Sequence, residues 1–198
     1  MLKKCVTTLA LVALTATMVH AEPLTYNLDA AHSVIGFSVR HMAISKVRGN
    51  FNEFEGSFTI DPQDSSSWSG QITIQTASID TDNEKRDEHL RSADFFNADS
   101  FPTITFESTK ITPKGNNEFE VQGNLTMRGV TKPVTLKAEV TGTTMDPWGN
   151  ERIGIELTGT IDRMDYGVSW NNMLETGGLV VSHEVDLELD VQGVRKVE

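Results

Sequence analysis

Apolar residues recur at every second position along nearly the whole chain. Ile35, Phe37 and Val39 share one parity within residues 33–41, and Phe54, Phe58 and Ile60 share the next row, with Gly56 in it. Ile72 and Ile74 follow, then Ile104 and Phe106, then Phe119, Val121, Leu125 and Met127 with Gly123 in register. Val134, Leu136, Ala138 and Val140 make a sixth run; Ile153, Ile155, Leu157 and Ile161, with Gly159, make a seventh. Val185, Leu187, Leu189 and Val191 close the series, with Asp186, Glu188 and Asp190 between them. A period of two with one dry and one wet face predicts antiparallel sheet packed on one side only. Turn residues separate the runs: Asp61-Pro62, Lys114-Gly115-Asn116-Asn117, and Asp146-Pro147-Trp148-Gly149. The last has Pro second and Gly fourth, as a type I turn prefers.

One segment breaks the alternation. Thr81-Asp82-Asn83-Glu84 reads as a capping box and predicts a short helix over 85–91, with Asp87 and Arg91 spaced to pair along it. So short a helix needs an apolar dock, for which Leu90, Phe95 and Phe96 are the candidates. A second irregular stretch, 165–178, holds Tyr166, Trp170, Met173 and the pair Gly177-Gly178. Eight such strands either stack as a sandwich or close into a barrel. Closure removes every sheet edge, and eight strands is about the size at which a barrel holds one small ligand. Gly56, Gly123 and Gly159 in the inward rows either leave space for a cavity or mark bends.

The N-terminus reads as a leader. Lys3 and Lys4 precede an apolar run over 6–19, and Val19-His20-Ala21 precedes Glu22-Pro23, so residues 1–21 are expected to be a cleaved signal peptide and 22–198 one mature domain. The apolar run falls short of the ~20 residues that span a bilayer. Cys5, the sole cysteine, lies in the leader, ahead of the apolar run, which excludes disulfides, thiol nucleophiles and Cys-based zinc sites from the mature chain. Removing Lys3 and Lys4 leaves 28 acids against 15 bases, a formal charge of −13. Such a surface repels nucleic acid and draws no attraction from anionic lipid; stable membrane insertion is not expected.

No G-x-S-x-G elbow and no phosphate-cradling glycine loop is present. His32, His41, His89 and His183 show no metal-ligand spacing; His32 and His41 share the apolar parity and are expected at strand ends near a barrel rim. Neither a cofactor nor a metal is implied.

The motifs, taken in order, resemble a known family. His32-Ser33-Val34-Ile35-Gly36-Phe37-Ser38-Val39-Arg40-His41-Met42, followed by Ser45-x-Val47-x-Gly49-x-Phe51, is similar to the opening signature of the YceI-like family. Asp87-Glu88-His89-Leu90-Arg91-Ser92-Ala93-Asp94-Phe95-Phe96 resembles its central helix motif. Pro102–Phe106, Gly123–Thr126, Gly129–Val134 and Arg163-Met164-Asp165-Tyr166-Gly167, with Tyr where Phe is common, follow in register. The resemblance spans the mature chain. It implies an all-β, eight-stranded, antiparallel, lipocalin-like barrel with one short helix between strands. It also implies a periplasmic protein that binds a long isoprenoid lipid, of polyprenyl or quinone type, in an apolar pocket.

By parity, Phe37, Val39, Phe54, Phe58, Ile74, Phe106, Leu125, Leu136 and Leu157 are expected in the barrel interior. Tyr166 and Trp170 are candidates for the pocket mouth, and His41, Arg86, His89 and Arg163 for contact with a polar headgroup. Arg86 and Arg163 serve equally as ion-pair partners closing the barrel. A homodimer covering the mouth stays open. Two other functions compete: an envelope stress factor acting through a protein partner with a filled barrel, and an enzyme acting on an isoprenoid or quinone. The first predicts no continuous pocket and an exposed apolar patch; the second needs a titratable cluster at depth.

Overall fold

The computed structural model describes residues 22–173 and 178–197, and each alternating run forms a strand of one antiparallel sheet. The chain meanders up and down. β1 (Leu24–Leu28) and β2 (Val34–His41) ascend, β3 (Ser45–Phe51) and β4 (Phe54–Ile60) descend, and β5 (Ser69–Gln75) and β6 (Ile79–Asp80) ascend again. Helix α1 (Glu84–Arg91) follows, then β7 (Thr103–Gly115), β8 (Glu118–Met127), β9 (Val130–Met145), β10 (Asn150–Asp162) and β11 (Val181–Lys196). The first three pairs are each one long strand, interrupted by the turn Ala30–His32, by 52–53 and by the turn Thr76–Ser78. Both β1 and β2 pair with β11, which closes eight long strands into a barrel. The expected architecture is the one observed, and closure leaves no long edge to template aggregation. The leader expected over 1–21 lies outside the described residues. No helix among the described residues is long and apolar enough to cross a membrane.

Two of these segments carry too little apolar signal to be read from the sequence. In β1 the inward side chain is Tyr26, buried and stacked on Phe58 at 5.4 Å. In β3 the inward row is Val47, Gly49 and Phe51, and a Cβ on Gly49 would come within 2.6 Å of the Phe37 ring. Gly123 and Gly159 work the same way, whereas at Gly56 the nearest atom is the Gln71 carbonyl oxygen of the neighbouring strand. A Cβ on Gly123 would lie 2.3 Å from Phe106, and one on Gly159 would lie 2.6 Å from Leu136 Cδ2. The space they leave is therefore filled by a neighbour's side chain laid against the wall, not held empty. Gly123 also pairs with Ser108 beside a register shift, so it stands at a bend in the sheet as well.

The helix is capped differently from the expected box. Asp82 is left-handed (φ 59°), which reverses the chain after Thr81 and hands the cap to Asn83, whose Oδ1 accepts from Arg86 N at 3.0 Å. Asp87 turns inward, away from Arg91, and accepts from Thr81 N (3.0 Å) and Thr81 Oγ1 (2.5 Å). Arg91 instead donates to the Ile79 carbonyl.

The lower end is sealed by Trp68 against Phe119, ring centroids 4.6 Å apart. At the seam Arg152 reaches Asp29 (2.6 Å) and Asp146 (2.9 Å), and Arg195 pairs with Glu151 while lying over the Tyr26 ring. The ion pair across the closure thus belongs to Arg152, while Arg195 joins β11 to β10 and meets β1 through the Tyr26 ring; neither Arg86 nor Arg163 takes that part. Desolvation pushes the Asp146 carboxyl upward, but donors from Asn150, Arg152 and Trp148 outweigh it and hold the group well below the usual carboxylate range. This ties the β9–β10 turn, read correctly from Asp146-Pro147-Trp148-Gly149, to the turn that follows β1.

Candidate functional site

The inward rows do not fill the barrel. An upper chamber of ≈ 160 Å³ is bordered by Phe37, Val39, Ile74 and Leu125 among others. A lower chamber of ≈ 130 Å³ is bordered by Phe58 and Leu157. Ile72, Phe106, Leu136 and Leu189 border both and form a waist between them. The exposed walls of both chambers are almost wholly apolar. Ile72 and Leu189 belong to alternating rows of the sequence, but parity alone gives no sign that they stand at a constriction.

Above the upper chamber lies a more polar recess of ≈ 230 Å³, bordered by His41, Arg86, His89 and Trp170 and sharing Phe37 and Val39 with the chamber below. Helix α1 and the residues after it form the roof. Leu90, Phe95 and Phe96 pack on the core as the dock that the short helix requires. His89 stands edge-on to Phe95 (5.0 Å) and Trp170 (5.1 Å), and its Nε2 meets Asp94 Oδ2 at 2.9 Å. Arg86 donates to Thr81 Oγ1 and to the Thr81 carbonyl, so part of its donor set is spent on the helix entry.

Arg163 borders the upper chamber yet is only 4 % exposed. Its guanidinium donates to the carbonyls of Ser182 (2.8 Å), Trp170 (3.0 Å), Val181 (3.3 Å) and Val168. Burial pushes its pKa down, with Asp162 opposing. The residue acts as a clamp that fastens the 168–170 segment, and with it Trp170, to the start of β11.

Two sequence candidates stand away from the chamber walls. Phe54 packs into the core across from its strand partner Ile74. Tyr166, expected at the mouth, is 2 % exposed, because the turn Arg163–Tyr166 and the left-handed Gly167 (φ 71°) swing the ring into the core. Burial, then the Asp165 charge, pushes its phenol up to about 12, and the hydroxyl meets no hydrogen-bond partner among the described residues. A buried unpaired hydroxyl costs ~1–3 kcal/mol. Tyr166→Phe is therefore expected to raise stability by about 1 kcal/mol in urea unfolding; a loss of stability would mean that the hydroxyl is paired. His32 also departs from expectation. It lies in an exposed turn, held by Asp29 at 2.9 Å, and does not face inward. Among the described residues no three His, Cys, Asp or Glu groups converge as metal ligands.

Residues 26–193 match the model of the YceI-like domain. A UPF0312 protein of Pseudomonas paraeruginosa is 41 % identical over 198 residues, covering 99 % of this chain and 100 % of its own. The crystal structure of BcnA from Burkholderia cenocepacia superposes with a TM-score of 0.73 at 25 % identity, over 83 % of this chain and 98 % of that one. A polyisoprenoid-binding domain from Saccharophagus degradans, implicated in plant cell wall breakdown, has the same fold (TM-score 0.62, 18 % identity, 86 % and 98 % covered).

Proposed function

This chain belongs to the YceI-like family, and from that membership we propose that it binds a long-chain isoprenoid lipid, of polyprenyl or quinone type, inside the barrel. The observation that carries this reading is the pair of apolar chambers meeting at one waist. A flexible chain of branched methylenes suits such a space. Each buried methylene contributes ~0.8 kcal/mol, so a handful outweighs the cost of ordering the chain. The polyisoprenoid-binding domain of S. degradans shares the fold and is consistent with this cargo. Phe37, Val39, Phe58, Ile74, Phe106, Leu125, Leu136 and Leu157 would line the tail site. Trp170, His41, His89 and Arg86 would frame the end where a polar head rests.

Binding, not catalysis, is the activity proposed, since among the described residues the chamber walls offer no cluster of titratable groups at depth. The leader read over 1–21 supports export, and we place the working protein in the periplasm as a soluble host for an insoluble chain. A filled barrel acting only through a protein partner is the weaker reading, because the chambers are open.

The test is extraction of the protein, purified from its native envelope, with organic solvent followed by mass spectrometry. An isoprenoid at near-stoichiometric yield is expected, together with uptake of a quinone by the stripped protein. No co-purifying long-chain lipid and no uptake would overturn the proposal.

A further inference from the structure

The upper end of the barrel exposes an apolar tip. At the β2–β3 hairpin the chain turns through Met42 (φ 50°) and Ala43 (φ 60°), with Ile44 N donating to the His41 carbonyl at 3.2 Å. Two successive left-handed residues make a turn that ordinarily takes Asn-Gly. Here it is built from a methionine and an alanine, which adopt that conformation at a steric cost. Ile44, next along, is 84 % exposed. Met42 N donates to the Val180 carbonyl (2.8 Å), which seats the hairpin beside a second exposed apolar pair, Met173 and Leu179, joined to each other by a β-bridge.

The charge along this hairpin runs against that of the whole chain. Residues 30–52 contain Arg40, Lys46 and Arg48 and no Asp or Glu, in a protein with 28 acids and 17 bases. All three cations are exposed on the hairpin. Lys46 is paired with Asp186 at 2.8 Å, and Glu184 borders the same shallow recess as Arg40, whereas Arg40 and Arg48 have no ion pair among the described residues. The tip stands at the same end of the barrel as the recess bordered by His41, Trp170 and Val180.

We propose that the Met42–Ile44 tip, with Met173 and Leu179, is a peripheral docking surface for an anionic lipid bilayer, and that it sets the barrel mouth against the membrane. The apolar side chains enter the interface while Arg40 and Arg48 meet acidic headgroups. The acidic remainder of the protein is repelled, so the contact is oriented and reversible. A basic residue held at an anionic surface contributes roughly fivefold in partitioning.

Co-sedimentation of the full mature chain with vesicles tests this without reference to any cargo. The vesicles are phosphatidylethanolamine with phosphatidylglycerol in one arm and phosphatidylcholine alone in the other. Binding is expected in the first arm and weakened by salt, with little in the second. Ile44→Glu should reduce it about tenfold or more, and the pair Arg40→Gln and Arg48→Gln by more than tenfold. Trp148→Ala, which alters the 79 % exposed side chain at the opposite end, should leave it unchanged. Melting temperatures and quinone uptake are read in parallel to show that the variants fold and that cargo binding is a separate matter. Absence of binding to the anionic vesicles, or binding indifferent to Ile44→Glu, would overturn the proposal. So would a wild-type dimer that Ile44→Glu converts to a monomer without any vesicle binding, since the face would then be a self-association surface.

Discussion

Leu136→Trp is expected to lower affinity for a long polyprenyl chain by about 100-fold while leaving a geranyl-length chain nearly unaffected. Leu136 is buried and borders both chambers. Its Cδ2 already occupies the gap over Gly159, so an indole at this position has little room along the wall and projects into the waist. A long chain would then lose the lower chamber. Excluding even four or five methylenes forfeits ~3–4 kcal/mol, which is two orders of magnitude or more in affinity. A short chain fits in the upper chamber and keeps its contacts. Overpacking costs ~1–3 kcal/mol of stability, small enough to leave the barrel folded, as a thermal melt will show. Competition titrations with chains of graded length are the measurement. Equal loss for short and long chains would mean that the two chambers are not one site traversed by a single tail.

The waist also illustrates what the sequence conveys and what it withholds. Period-two alternation is a local property, so eight strands, their wet and dry faces, and even the β9–β10 turn chemistry were legible directly. Each alternating run corresponds to one barrel strand. The interruptions were not legible, because β1 and β3 present few apolar residues and rely on Tyr26 and Gly49 at positions where packing partners lie far away in sequence. The same limit holds for the site. Parity assigned Phe37, Leu125 and Leu157 inward, but it gives no distance across the barrel, so Ile72 and Leu189 looked like any other inward residue. Phe54 obeyed the parity and still ended in packed core. Tyr166 went astray because a single left-handed glycine decides where its ring points. For the helix, Asn83 and Thr81 are both good caps by composition, and only the reversal at Asp82 selects between them. The charged residues were hardest to place. Arg152 and Arg163 are alike in sequence, yet one closes the seam through carboxylates and the other is buried among carbonyls.

That burial makes Arg163 the residue whose loss should damage the fold most. Arg163→Met preserves most of the stem volume and removes a guanidinium that donates to four main-chain carbonyls. Each buried acceptor left unpaired costs ~1–3 kcal/mol, and relaxation or entry of water recovers part of it, so a net loss of about 3–5 kcal/mol is expected in urea unfolding. Among the described residues no carboxylate forms an ion pair with Arg163, and Asp162 acts on it only as a nearby charge, so the penalty comes mainly from the carbonyls. Arg163→Lys keeps the charge but offers a compact ammonium in place of a planar fork, and is expected to fall between the two. The damage should be local as well as global. Val168 and Trp170 lose their tie to Ser182 and Val181, so Trp170 should shift toward solvent and the roof over the upper chamber should loosen. Emission spectra of a chain carrying Trp68→Phe and Trp148→Phe isolate Trp170 for this purpose and should move to longer wavelength in Arg163→Met. A loss below about 1 kcal/mol with an unmoved spectrum would show that the carbonyls find other donors and that the clamp is dispensable. A large loss with an unmoved spectrum would assign Arg163 to the barrel seam near β11 and release Trp170 from its control.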